Sequence, residues 1–157
     1  NHQLYNQTGG NFVTAFYGIL SPDRRELLYA SAGHNHPYVV GDDGSISLLD
    51  HGARSLPLAV MDNTGLEAVR QPYENRQATL PANGKLLLYT DGMVEATRID
   101  ASPQDAVDFE SASLRAVISG LSPLPAQAFI DGLVRALCTY RGSENFDDDI
   151  CMICIDT

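Results

Sequence analysis

Basic residues are scarce in this chain. Ten Lys and Arg stand against twenty Asp and Glu in 157 residues, a formal net charge of −10. A nucleic-acid binder needs basic surface to displace counterions, so the charge argues against that class. The excess negative charge suits a protein that binds cations. Cysteine is also sparse: three residues, two of them in Cys151-Met-Ile-Cys154. An odd, low count makes no disulfide framework, and a reducing cytoplasm is the simplest compartment. No apolar run reaches the ~18 residues of a membrane helix, so no membrane segment is expected. The N-terminus lacks the basic-then-apolar pattern of a secretory signal. It also lacks an initiating Met, so the chain is expected to be cut from a longer one. There is no G-x-S-x-G elbow and no Gly-rich phosphate loop, so serine hydrolases and nucleotide-cradling folds lose support. No repeat and no linker divides the chain.

Apolar residues make up 44% and charged residues 19%, a globular balance. The length fits one domain, residues 1–157, with a sizeable core. The first two-thirds reads as β. Phe12 to Leu20 is rich in aromatic and β-branched residues. Ser21-Pro22-Asp23 turns it back into Glu26 to Ser31. Pro37 to Val40 and Ser45 to Leu49 flank the hairpin dipeptide Asp43-Gly44. Arg76 to Leu80 and Lys85 to Thr90 flank Pro81-Ala82-Asn83-Gly84 and are expected to pair as a further hairpin. The last third turns helical, with one stripe at Leu114, Val117, Ile118 and Leu121 and another at Ala126, Ile130, Leu133 and Leu137. Ser122-Pro123 suits the start of the second helix. Ile150 to Ile155 is an apolar run of strand length, expected to be covered on both faces. The fold class that follows is α+β: stacked, mostly antiparallel sheets with helices outside.

Two acidic features carry the candidate chemistry. Asp91 follows the buried-looking strand Leu86-Leu87-Leu88-Tyr89-Thr90, and Gly92 permits a sharp turn after it. A carboxylate at the end of a rigid strand is well placed for a metal; an ordinary Asp-Gly turn is the bland alternative. Glu144, Asp147, Asp148 and Asp149 crowd into six residues before the final strand. Crowded carboxylates repel unless a cation compensates, and hard cations take oxygen ligands. The alternative is a solvated acidic loop. The spacing is not that of an EF-hand. His34 and His36 read as polar residues of a turn. Cys151 and Cys154, three apart in a strand, read as packing residues rather than a redox pair.

Taken in order, Phe12-Val13-Thr14, Leu28-Tyr29-Ala30-Ser31-Ala32-Gly33-His34-Asn35, Leu56-Pro57-Leu58-Ala59-Val60, Leu88-Tyr89-Thr90-Asp91-Gly92-Met93-Val94-Glu95-Ala96 and Asp148-Asp149-Ile150 form a recognisable set. The chain resembles the SpoIIE/RsbU-type serine phosphatases, a bacterial branch of the metal-dependent (PPM, type 2C) protein phosphatases. The resemblance implies an α-β-β-α sandwich with a two-metal manganese or magnesium site. It implies a phosphoserine or phosphothreonine protein as substrate, such as an anti-sigma factor antagonist, and an upstream sensory or receiver domain. Asp91 matches the metal ligand of the family's D-G motif, and Asp148 matches the first Asp of its D-D motif. On that basis Asp91 and Asp148 are the expected catalytic and metal residues, with Gly92, Glu95 and Asp149 supporting them.

The sequence also departs from the pattern. The family's upstream G-D-x-x-D and D-x-x-G-H-G motifs are absent from these residues. The expectation is a domain truncated at its N-terminus, lacking its first strands and helices and inactive alone. Ala59 stands where Gly is usual, His36 where Pro is common, Glu110 where Gly follows Phe109, and Cys151 where Thr follows D-D-I. Three readings remain: part of an active phosphatase, a degenerate phosphatase acting as a protein-binding adaptor in sigma-factor regulation, or an acidic domain binding Ca²⁺ for structure. Retention of both Asp91 and Asp148 favours the first, because a pure binding module has no need of carboxylates that repel each other.

Overall fold

The structure, a computed structural model, describes residues 1–49, 55–102 and 104–157. In chain order the elements are β1 (Ala15–Leu20), β2 (Glu26–Ala32), β3 (Tyr38–Val40), β4 (Ile46–Leu48), α1 (Asn63–Ala68), β5 (Arg76–Thr79), β6 (Lys85–Tyr89), α2 (Asp91–Val94), a π-helical turn (Glu110–Leu114), α3 (Arg115–Leu121), α4 (Ala126–Arg141) and β7 (Met152–Asp156). This is a mixed α/β chain with two antiparallel sheets, ordered β1-β2-β5 and β4-β3-β6-β7. It divides into two compact units: residues 1–36 with 49–79, and residues 37–48 with 80–157. Among the described residues no helix is long and apolar enough to cross a membrane.

The first unit holds the three-stranded sheet. Strand alternation sends Leu27 and Tyr29 inward, and Tyr29 stacks on Phe16 with centroids 5.6 Å apart. Tyr17, Ile19 and Leu28 are exposed, and Ile19 and Leu28 are cross-strand partners. Helix α1 starts because the Asp62 carboxylate accepts from the Gly65 N–H at 2.7 Å. It stops at Arg70, φ +57°, where the Gln71 N–H reaches back to the Leu66 carbonyl at 2.9 Å. The His34 ring tilts against Phe16 at 6.3 Å, consistent with a packing role.

The second unit holds the four-stranded sheet and the larger core. Tyr38, Val40, Leu87 and Tyr89 bury one sheet face, and Phe109, Leu114, Ile118, Phe129, Leu133 and Leu137 meet it from the helices. Phe129, Leu133 and Leu137 recur every four residues, so α4 presents a single apolar stripe. Burying each such side chain contributes about 1.5–3 kcal/mol. The buried Lys85 ammonium lies 3.2 Å from Asp156 and 5.9 Å from the Phe129 ring centroid. The other Asp156 oxygen accepts from the Ala126 N–H at 3.1 Å, so one carboxylate both pairs with the lysine and caps α4. Tyr38 and Tyr89 stack at 5.3 Å. Burial, helped by the charge of Glu110, pushes the Tyr89 hydroxyl up to about 12.

Several sequence expectations need correction. Residues 76–80 and 85–90 do not pair with each other. β5 joins β2, whereas both edges of β6 are taken by β3 and β7. β1 begins at Ala15 rather than Phe12, because β2 ends at Ala32 before Gly33 (φ +67°), and Val13 exchanges backbone hydrogen bonds with Leu58 instead. Ser122 does not start α4. Its hydroxyl donates to the Ser119 carbonyl at the end of α3, and α4 begins after Pro125. β7 is an edge strand, with Ile153 55% exposed, so the final apolar run is not covered on both faces. Cys151 is exposed, not packed; Cys154 is half-buried, and burial raises its thiol to about 11. Helices α1 and α2 have no counterpart in the sequence expectations.

Candidate metal centre

β6 is interior to its sheet and ends at Tyr89, and Thr90 then fastens it to the acidic loop. The Thr90 N–H donates to the Cys151 carbonyl at 3.0 Å. The Thr90 hydroxyl donates to the Asp149 carbonyl at 3.0 Å and accepts from the Cys151 N–H at 2.9 Å. Three bonds through one residue therefore hold the segment 149–151 beside the start of α2.

Helix α2 occupies four residues. Met93 and Val94 enter the core and fix its orientation, while Asp91 and Glu95, four apart on a helical turn, stay exposed. The Glu95 N–H donates to the Asp91 carbonyl at 2.9 Å. Gly92 is buried against the acidic loop, and a Cβ there would lie 2.7 Å from the Asp149 carbonyl oxygen. Only glycine allows this approach. The Asp-Gly pair is thus both a strand end and the contact that brings the two acidic segments together.

The loop's far end is set by α4. Gly142, φ +77°, closes that helix with its N–H on the Cys138 carbonyl at 2.9 Å. Asp148 accepts from the Asp149 N–H at 2.8 Å and is otherwise exposed. A hollow of about 130 Å³ is lined by Gly92, Glu95, Arg141, Phe146, Asp147 and Asp148, among others. A neighbouring hollow of about 460 Å³ shares Asp148 and adds Asp149, Glu144 and the apolar side chains of Val134, Leu137 and Met152. The structure therefore brings Gly92, Glu95 and Asp148 to one hollow. Asp149 contributes through its backbone carbonyl, and Asp91 stands at the start of α2, one residue from Gly92.

Oxygen donors, exposure and net negative charge suit a hard divalent cation. Yet among the described residues no three His, Cys, Asp or Glu side chains converge closely enough to hold one. The carboxylates present fit part of a ligand set. The sequence pattern does not single out Thr90 or Arg141. The available signals were a hydroxyl residue between a buried strand and an Asp, and a lone arginine at a helix end one turn before an acidic run.

The family model described as Stage II sporulation protein E (SpoIIE) matches residues 1–157. No curated protein matches the chain. Among solved structures, the RsbU and RsbW domains of a Mycobacterium tuberculosis protein align over 99% of this chain at 22% identity, TM-score 0.67. The PP2C phosphatase domain of Bacillus subtilis SpoIIE with a fragment of its regulatory domain aligns over 98% at 16% identity, TM-score 0.70. RsbX in complex with magnesium aligns over 90% at 18% identity, TM-score 0.52. The chain spans 39%, 41% and 54% of those three chains respectively. The likeness shows the fold, a PP2C-like phosphatase-domain fold, and the family match extends from the first residue to the last. The chain belongs to the SpoIIE family.

Proposed function

We propose that the chain is the C-terminal part of a metal-dependent protein serine/threonine phosphatase domain of bacterial signalling. The single observation that carries this reading is the Thr90–Gly92 junction, which holds two motif carboxylates, Asp91 and Asp148, on segments fastened to each other.

Asp91 and Asp148 would hold the cations, manganese or magnesium, with Glu95 and Asp149 adding negative charge beside them. The relative solved with magnesium supports a divalent ion. When bound, the ions would neutralise a phosphomonoester dianion and activate water for in-line attack at phosphorus. The chain's own residues do the positioning. Thr90 fixes the loop backbone, Gly92 lets it approach, and Met93 and Val94 anchor the helix that presents Asp91. No side-chain nucleophile is needed. The substrate is a phosphoserine or phosphothreonine regulator, such as an anti-sigma factor antagonist, in the cytoplasm.

One observation favours the second reading, a degenerate domain serving as an adaptor: no complete ligand cluster exists among the described residues. A phosphatase assay decides between them. Expressed with whatever residues precede it in its gene, the protein should hydrolyse p-nitrophenyl phosphate and a phosphoserine peptide only with Mn²⁺ or Mg²⁺. Asp91→Asn should reduce turnover by at least ~100-fold with an unchanged circular dichroism spectrum. Full turnover in Asp91→Asn would remove that residue from the site, and no turnover in the unsubstituted protein would favour the adaptor.

A further inference from the structure

The residue that organises the acidic loop is a buried arginine outside the family motifs. Arg141 is the last residue of α4, and its side chain is 6% exposed. Its Nε donates to the Asn145 carbonyl, its Nη1 to the Thr97 carbonyl at 3.2 Å and its Nη2 to Asp147 Oδ1 at 2.8 Å. The guanidinium also lies 5.8 Å from the Phe146 ring centroid. Its own carbonyl accepts from the Ile99 N–H at 2.9 Å. One side chain therefore ties the end of α4 to the stretch following α2 and to the loop that carries Asp148 and Asp149.

A buried arginine is costly to desolvate unless its donors are used. Here three of its nitrogens are spent, two of them on the loop immediately before Asp148. The helix C-terminus adds a favourable dipole. Among the described ion pairs, Arg141–Asp147 is the one that reaches the four-carboxylate loop. Without it, like charges would drive the loop open.

We propose that Arg141 is the positioning residue of the candidate metal centre, holding the loop so that Asp148 faces the hollow it shares with Gly92 and Glu95. The proposal rests on the metal-site reading above. The planar fork is what the geometry uses, because carbonyl, carboxylate and carbonyl are met in three directions from one plane. A lysine keeps the charge and loses the fork.

The test measures hydrogen exchange by mass spectrometry on the metal-free chain, with Arg141→Met, Arg141→Lys and Asp147→Asn. Asp147 has an 81% exposed side chain, so its variant keeps the fold even if Arg141→Met does not. The hydrogen-bonded amides of the loop, those of Asn145, Asp149 and Cys151, should exchange ~10–100-fold faster in each variant, as expected for loss of a charge-assisted bond. Amides of β6 should be unaffected. In parallel, Mn²⁺ affinity measured by calorimetry should fall ~10–100-fold in Arg141→Lys, as for other residues that orient ligands. Asp147→Asn is read by exchange alone, because removing its charge weakens cation binding directly. Unchanged loop exchange in Arg141→Lys and Asp147→Asn would overturn the proposal. So would an equal rise across β6, which would make Arg141 a stability residue only. If the unsubstituted chain binds no Mn²⁺, the metal reading fails, and loop exchange alone decides the role of Arg141.

Discussion

Ala59 shows how much a single position can carry. Its φ is +68°, a region that disfavours any residue with a Cβ. The resemblance placed glycine there, and the backbone agrees with glycine rather than with the alanine present. Its N–H donates to Asn1 Oδ1 at 2.8 Å, a bond that does not depend on the side chain. Ala59→Gly should therefore stabilise the chain by about 0.5–1 kcal/mol, strain relief outweighing the added freedom of the unfolded state. Urea unfolding should show a higher midpoint at unchanged slope, and a lower midpoint would refute the strain. Glu110, the other lost glycine, has a different account. The Tyr38 hydroxyl donates to Glu110 Oε1 at 2.7 Å, so the substitution satisfies a buried tyrosine. Gly92 was legible because the sharp turn after a buried strand demands it. Thr90 and Arg141 were not, because hydroxyl and guanidinium groups serve through partners that are distant in sequence.

Elements were legible where one face alternates or repeats. β2, β3 and α4 fall close to their expected spans because their apolar positions are periodic, and β6 because it is a short continuous apolar run. Pairing was less legible. A turn-like Pro-Ala-Asn-Gly between residues 80 and 85 suggested a hairpin, yet β6 finds both its partners elsewhere. Local turn chemistry does not say which edge is already occupied. Helix α2 was missed because four residues carry no periodicity; its position comes from Met93 and Val94 reaching the core. The same element sets a prediction for Gly92→Ala. The added methyl meets the Asp149 carbonyl at 2.7 Å, so either α2 or the loop must move. The expected cost is about 1–3 kcal/mol in urea unfolding, with amide chemical shifts changed at Thr90 and Cys151. An unperturbed spectrum at those two amides would contradict the close approach.

Across the whole chain, composition alone argued against a nucleic-acid partner and pointed toward cations, and four of the twenty acidic residues crowd into one loop, from Glu144 to Asp149. Helices α2, α3 and α4, the second sheet and the loop share one core, so the candidate site is built on rigid elements at its β6 end and on a tethered loop at the other. The fold class was legible because two antiparallel sheets and an amphipathic C-terminal helix follow from short-range pattern. The convergence of ligands was not, because it depends on side chains distant in sequence, and among the described residues no three such groups converge. The central claim is that Asp91 and Asp148 belong to one cation site. Calorimetric titration with Mn²⁺ of the chain and of its Asp91→Asn/Asp148→Asn double variant tests it most directly. The account predicts binding in the unsubstituted chain and its loss in the double variant. Equal binding in both, or none in either, would contradict it.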